Sequence, residues 1–203
     1  MFVEFHLKQI DKDKLHKFLR EMEFNRLLSS VISAYGEPEL GEITRETKPE
    51  KKHQNISKKN YHLITNEKEI DEWINEAEEA GELAIDTETS SLDAHQADLV
   101  GISLSTKIGK ACYIPIGHKF KGCLKKETVI KKLKPLLEDK SVKKIGQNIK
   151  FDFIVLFKQG INMNSMEDTM LMSYVLDAGK NRHNMDTLSE IHLQHKTISF
   201  KEI

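Results

Sequence analysis

Three β-rich runs lie close together in the middle of the chain, and helical patterns come after them. The runs cover residues 83–88, 99–105 and 111–116 and are separated by turn residues. Gly109 lies between the second run and the third, which predicts a hairpin at that point. A shorter run follows at residues 142–145, between helical patterns. Strands that come first and helices that interleave afterwards predict an α/β domain, with helices packed against a mixed β-sheet.

Apolar residues at three- and four-residue spacing predict helices on both sides of these runs. In front of them, Asn66 is placed to cap a helix and Gly81 to end it. After the first three runs, helical patterns cover residues 129–137, 148–159, 169–176 and 185–193.

The N-terminal part of the chain is separated from these elements by a polar stretch. Residues 15–32 carry apolar side chains at helical spacing and predict an amphipathic helix. Residues 36–60 contain glycine, proline and many charges but few large apolar residues, which is typical of a linker. We therefore expect a helical segment over residues 1–35, a linker over 36–60 and a compact domain over 61–203.

The composition limits both the environment and the kind of partner. With 38% hydrophobic and 31% charged residues, the chain has the composition of a globular protein. The 31 Lys and Arg residues nearly cancel the 32 Asp and Glu residues, so any contact with nucleic acid must be local. Cys112 and Cys123 have neither metal-ligand spacing nor a disulfide pattern, and no signal peptide precedes them, so we expect a cytoplasmic location. No stretch approaches the roughly 20 apolar residues of a membrane-spanning helix, and we expect no membrane role.

Three acidic residues lie in apolar or strand-like surroundings, where a surface charge is not expected. Asp86 and Glu88 are two residues apart on a predicted strand, so their side chains project from the same face of the sheet. Asp152 lies four residues after Asn148 on a predicted helix, which puts these two side chains one turn apart on one face. Converging carboxylates repel one another unless hard divalent cations neutralise them, and Mg²⁺ or Mn²⁺ suits such oxygen ligands.

Each of these residues also has an ordinary structural interpretation. An Asp-x-Glu pair on a strand is more often a solvated edge or a cap than a catalytic site. Asn148 is placed to be a helix N-cap, and Asp152 to be an exposed helix carboxylate. The pattern of residues by itself leaves both interpretations open.

Two longer motifs favour the functional interpretation. Residues 84–92, Ala-Ile-Asp-Thr-Glu-Thr-Ser-Ser-Leu, and residues 145–152, Ile-Gly-Gln-Asn-Ile-Lys-Phe-Asp, resemble the first two exonuclease motifs of the DEDD superfamily. Three further segments resemble the continuation of these motifs in bacterial, family A DNA polymerase I: residues 168–174, 182–188 and 195–198. Residues 7–33 are similar to the tail of the 5′-nuclease domain that precedes the exonuclease domain in such polymerases.

This resemblance implies a ribonuclease-H-like α/β domain that removes one nucleotide at a time from the 3′ end of single-stranded or frayed DNA. It implies that Asp86 and Glu88 hold the Mg²⁺ or Mn²⁺ ion that activates the attacking water. It implies that Asp152 holds a second ion beside the leaving 3′ oxygen. The implied role is proofreading, with a polymerase domain of the same parent chain as partner.

The resemblance also implies contacts to the DNA strand. Leu92 matches the position that wedges against the terminal base, and four further residues match positions near the strand: Thr89, Gln147, Asn148 and Arg182. The structural alternatives are core packing for Leu92, helix capping for Asn148 and a solvated surface charge for Arg182.

One part of the family pattern is missing from the 203 residues. The family takes its last carboxylate from a Tyr-x-x-x-Asp sequence on a later helix, whereas Tyr174 and Asp177 are only three residues apart. We therefore expect the exonuclease domain to be incomplete at its C-terminus and this chain to have weak activity or none. The alternatives are a non-catalytic module that holds DNA or acts as a spacer, and a separate DEDD nuclease acting on RNA. The three retained carboxylates argue against the first alternative, and the segment after Asp168 argues against the second.

Overall fold

The computed structural model describes residues 9–37, 60–119 and 121–198. The chain divides into two compact units, Met1–Lys51 and Lys52–Ile203. Most of the predicted linker lies outside the described residues. The predicted three-part division of the chain therefore stays a prediction.

Within residues 9–37, the described part of the first unit, two helices are present where the sequence predicts one. They are α1, Lys12–Glu21, and α2, Asn25–Tyr35. The side chain of Asp11 accepts a hydrogen bond from a backbone N–H of the first turn and so caps α1. Between the helices Glu23 has a left-handed φ of 57°, which a continuous right-handed helix does not allow. The apolar spacing continues across this turn, so periodicity alone does not reveal the break.

The described residues of the second unit form one six-stranded mixed sheet with its accompanying helices. In chain order its strands are β1 Tyr61–Leu63, β2 Glu82–Thr89, β3 Leu99–Lys107, β4 Lys110–Pro115, β5 Lys143–Gly146 and β6 Met166–Asp168. Their order across the sheet is β1-β4-β3-β2-β5-β6. β3 pairs antiparallel with both β2 and β4. β1 pairs parallel with β4, and β5 pairs parallel with both β2 and β6.

The predicted α/β class and its central strands are confirmed. The β3–β4 hairpin turns at Gly109, whose φ is 77°. β1 and β6 have three residues each and are too short to show a periodicity in the sequence, which is why the pattern did not predict them.

Five helices and one π-helical turn accompany the sheet in the described part of this unit. They are α3 Glu67–Ala80, α4 Lys126–Glu138, α5 Lys150–Lys158, α6 Thr169–Asp177, α7 Met185–Leu188 and the π-helical turn Ser189–Leu193. Asn66 caps α3 by accepting a hydrogen bond from the Lys68 N–H, and Gly81 ends it in the left-handed conformation, as predicted. None of the helices that the structure describes is both long enough and apolar enough to cross a membrane.

Packing against the sheet decides which side of β2 meets water. α3 packs against β2 and β3, and α4 packs against α3. Along β2, Leu83, Ile85 and Thr87 are buried, whereas Asp86 and Glu88 are exposed. The alternation of a strand therefore directs both acidic side chains away from the buried face.

Candidate active site

Asp86 and Glu88 share one face of β2, as their spacing predicts, and that face is open to solvent. Partial loss of water around the carboxylate raises the pKa of Asp86 to about 6, and the negative charges of Asp152 and Glu88 add to the rise. Asp86 is thus close enough to the other two predicted metal-binding carboxylates for their charges to affect it.

Asp152 lies on α5 and is only 2% exposed. Its Oδ1 accepts two hydrogen bonds from Thr87, one from the backbone N–H at 2.8 Å and one from Oγ1 at 2.6 Å. The pairing of β2 with β5 ends at Ala84. Beyond that point the Asp152 carboxylate, rather than a strand, accepts the hydrogen bond from the Thr87 backbone N–H. Burial raises the pKa of Asp152, while the two bonds from Thr87 act to lower it. The interpretation of Asp152 as an exposed helix carboxylate is therefore wrong.

The carboxylates have the chemistry of a divalent-cation site without a complete set of ligands. Asp86, Glu88 and Asp152 offer the oxygen ligands that Mg²⁺ and Mn²⁺ prefer, and their mutual repulsion favours a cation. Within residues 9–37, 60–119 and 121–198, however, no group of three or more His, Cys, Asp or Glu side chains is arranged to hold a metal ion.

The start of α5 differs from the prediction. The helix begins at Lys150, and Asn148 lies before it with a left-handed φ of 57°. Asn148 and Asp152 are therefore not one helical turn apart on a common face, and Asn148 is not the N-cap. Asp168, at the end of β6, caps this helix start instead. Its Oδ1 accepts from the Asn148 N–H at 3.0 Å and its Oδ2 from the Ile149 N–H at 3.1 Å.

The same aspartate caps a second helix. Asp168 Oδ1 also accepts from the N–H groups of Met170 at 2.9 Å and Leu171 at 3.3 Å, in the first turn of α6. Because Asp168 joins the starts of α5 and α6, it helps to place the helix that carries Asp152. The sequence reasoning missed this role, although an Asp directly before the helical pattern at 169–176 is a recognisable N-cap signal.

Gln147 and Arg182 are brought together through His183. Gln147 Nε2 donates to the His183 carbonyl oxygen at 2.7 Å. The His183 side chain is buried, with Nδ1 at 2.7 Å from Ser173 Oγ and its ring centroid at 3.8 Å from that of Tyr174. These contacts hold the segment that carries the exposed Arg182 beside the turn between β5 and α5.

Thr89 and Leu92 lie at the end of β2 and just beyond it. Thr89 Oγ1 donates to the Ser91 carbonyl oxygen at 2.9 Å. Leu92 is 99% exposed, so the interpretation of Leu92 as a core residue is wrong. Its contact with a DNA base stays a prediction.

Comparison with known proteins shows the family to which the chain belongs. A sequence profile described as 3′-5′ exonuclease matches residues 61–203. The chain belongs to this 3′-5′ exonuclease family. Over 199 residues it is 37% identical to DNA polymerase I of Pseudomonas aeruginosa, a match that covers 95% of this chain and 21% of that protein. It is 44% identical over 155 residues to DNA polymerase I of Rhizobium leguminosarum, covering 66% of this chain and 15% of that protein. The resemblance to the exonuclease region of bacterial DNA polymerase I is confirmed, and the chain spans only a minor part of these relatives' length.

Two solved structures have the same fold. NrnC of Brucella melitensis with bound Mg²⁺ superimposes with a TM-score of 0.53 at 25% identity, over 69% of this chain and 64% of that one. The catalytic core of RRP6 from Trypanosoma brucei superimposes with a TM-score of 0.58 at 15% identity, over 70% of this chain and 37% of that one. The second likeness shows the fold alone. The predicted ribonuclease-H-like architecture is confirmed.

Proposed function

We propose that this exonuclease-family chain hydrolyses the terminal phosphodiester at a DNA 3′ end and releases one nucleotide at a time. The placement of Asp152 carries the proposal, because Thr87 holds it against the strand on which Asp86 and Glu88 lie. Partial loss of water, together with the negative charges of Asp152 and Glu88, raises the pKa of Asp86 to about 6. A perturbed carboxylate among charge partners is typical of a functional site.

In this proposal Asp86, Glu88 and Asp152 hold Mg²⁺ or Mn²⁺. When bound, divalent cations supply charge stabilisation to the attacking and the leaving oxygen of an in-line phosphoryl displacement. Asp86 would hold the cation as the anion, so we expect the affinity for the cation to fall as the pH falls through about 6. The NrnC structure, which contains bound Mg²⁺ on the same fold, supports this choice of ion.

The residues that the family resemblance places near the DNA supply the contacts to the strand. Leu92, with 99% of its side chain exposed, wedges against the terminal base. Thr89 lies at the end of β2, and Gln147 and Asn148 lie in the turn before α5. Arg182 is the positively charged residue of this set, and its guanidinium is suited to binding a phosphate of the DNA strand.

The biological setting that we propose is proofreading in the cytoplasm. The match to the Pseudomonas aeruginosa DNA polymerase I covers nearly all of this chain and a fifth of that protein, 95% and 21%. We therefore infer a polymerase domain in the same parent chain, which delivers a frayed 3′ end to the exonuclease site.

Release of a 3′-labelled nucleotide from single-stranded DNA, in Mg²⁺ or Mn²⁺, tests the proposal in the chain joined to the segment that follows the matched region in the Pseudomonas aeruginosa relative. The decisive variant is Asp152→Asn, which removes the charge but keeps an oxygen that can accept from Thr87. We expect about a hundredfold loss of rate or more with DNA affinity largely retained, because this carboxylate acts on transition-state charge.

The matched control for that assay is Asp71→Asn on α3, whose carboxylate pairs with Lys132 at 2.6 Å. This variant should keep the rate of the unmodified chain. Equal rates for the two variants would show that Asp152 has no part in the chemistry.

A second candidate function is a non-catalytic module that holds DNA inside a polymerase. One observation favours it: the described residues include no three-ligand group arranged for a metal ion. Joining the chain to the segment that follows the matched region in the Pseudomonas aeruginosa relative separates the two functions. An incomplete exonuclease gains activity, whereas a non-catalytic module stays inactive. Full activity in the 203-residue chain would mean that another of its acids completes the site.

A further inference from the structure

A tyrosine lies on the same face of the sheet as the acidic residues of β2. Tyr113 on β4 pairs with Ser103 on β3, and Ser103 pairs with Asp86 on β2. Directly paired residues project from the same face of a sheet. Tyr113 therefore shares the open face with Asp86, two strands away.

The Tyr113 ring leans across β3 toward Glu88. A Cβ placed on Gly101 would lie 1.9 Å from Tyr113 Oη and 2.3 Å from its Cζ, so the phenol fills the space that a side chain at this position would need. Gly101 is paired directly with Glu88. Because opposite residues of antiparallel strands have Cβ atoms about 5 Å apart, the hydroxyl lies roughly 3–7 Å from Glu88 Cβ.

His118 orients this phenol. Its Nε2 lies 2.6 Å from Tyr113 Oη, and the two rings meet edge to face with centroids 5.7 Å apart. Cys123 Sγ donates to the His118 carbonyl oxygen at 3.0 Å, which ties down the loop after β4. When His118 Nε2 donates to the phenol oxygen, the phenol proton is left for a further acceptor.

We propose that Tyr113, oriented by His118, donates a hydrogen bond to a phosphate oxygen of the DNA strand end that binds at the β2 carboxylates. The proposal rests on the function proposed above and adds a positioning residue to it. Both residues lie outside the two exonuclease motifs at 84–92 and 145–152. The carboxylates of this face repel a phosphodiester, and a neutral donor beside Glu88 offers it an attractive contact.

The protonation of the phenol is consistent with a donor role. Burial raises the pKa of Tyr113, and the negative charge of Glu88 raises it further. The hydroxyl therefore keeps its proton at neutral pH.

Binding of a short oligothymidylate to the 203-residue chain, measured by fluorescence anisotropy in Ca²⁺ to limit cleavage, tests this contact. One probe has an ordinary phosphate as its last linkage, and the other has a neutral methylphosphonate there. We expect Tyr113→Phe to weaken binding of the phosphate probe about tenfold, since the acceptor is charged, and to leave binding of the methylphosphonate probe nearly unchanged. His118→Gln should weaken binding of the phosphate probe by a smaller factor.

Tyr61→Phe is the matched control, because it makes the same change on β1 at the edge of the sheet. It should leave both affinities unchanged. Gly101→Ala displaces the phenol by a different route and should reproduce the effect of Tyr113→Phe. Thermal melts establish which variants are folded, and the conservative Tyr113→Phe decides the question if Gly101→Ala is not.

Equal weakening on both probes would reveal a merely structural role and overturn the proposal. Unchanged binding in Tyr113→Phe would also overturn it, while the proposed function stands if Asp152→Asn still abolishes nucleotide release. If the chain joined to the segment that follows the matched region in the Pseudomonas aeruginosa relative neither binds the phosphate probe nor releases nucleotides, both proposals fall.

Discussion

Replacing Asp86 by asparagine should stabilise the cation-free protein at neutral pH. The pKa of this carboxyl rises from 3.8 to about 6, first because it loses water and then because of the charges of Asp152 and Glu88. A pKa that is higher in the folded than in the unfolded state means that the folded protein holds the proton more tightly between these two pH values. The stability that protonated Asp86 contributes is therefore present below pH 3.8 and is lost as the pH rises through about 6.

The size of the effect follows from the shift and from the exposure of the side chain. At about 1.4 kcal/mol per pKa unit, the shift corresponds to about 3 kcal/mol in the absence of screening. Asp86 is exposed on the open face of β2, where solvent reduces such interactions to about 1 kcal/mol. We expect Asp86→Asn to raise the free energy of unfolding by about that amount above pH 6, with no gain below pH 3.8.

Urea denaturation in EDTA across this pH range measures the difference between the two proteins. Adding Mn²⁺ should stabilise the unmodified protein and have less effect on Asp86→Asn, because the variant lacks one proposed ligand. Asp98→Asn changes an exposed aspartate just before β3 and should keep the unmodified pH dependence. An Asp86→Asn variant that is less stable at neutral pH, or that follows the unmodified pH dependence, would refute the reasoning.

Three further predictions concern stability and one concerns DNA. Thr87→Val removes the hydroxyl that donates to Asp152 at 2.6 Å and should lower the free energy of unfolding in urea by about 1.5–3 kcal/mol, with a smaller loss for Thr87→Ser. Asp168→Ala removes the carboxylate that accepts hydrogen bonds at the starts of α5 and α6. We expect it to lower the free energy of unfolding in urea by about 1–4 kcal/mol. Gly81→Ala places a side chain at a φ of 69° and should lower the free energy of unfolding by about 1–2 kcal/mol. An unchanged melting temperature would contradict this prediction. Binding of single-stranded DNA should weaken steeply with salt as phosphate contacts release counterions, so salt-insensitive binding would count against phosphate contacts.

The sequence by itself determines the elements whose pattern is local and long. The alternation in β2, with Leu83 and Ile85 buried and Asp86 exposed, comes from the two-residue period of a strand. The ends of α3 follow from Asn66 and Gly81, which act on their own neighbours in the chain. The two exonuclease motifs are also contiguous, which is why the family is identifiable without coordinates.

Helix boundaries that depend on distant partners are not visible in the sequence. Asn148 leaves the helical conformation where its N–H meets Asp168, 20 residues later in the chain. Helical spacing continues through this point, so the pattern predicts α5 two residues too early.

Only the tertiary structure decides which faces meet. Asp152 is recognisable as a candidate from its motif, but its burial depends on Thr87, 65 residues away. The position of Tyr113 over Gly101, opposite Glu88, depends likewise on the register of three strands. The physical reason is that the periodicity of a helix or strand shows only which of its own residues share a face. Which two faces come into contact depends on the pairing and packing of elements that are far apart in the chain.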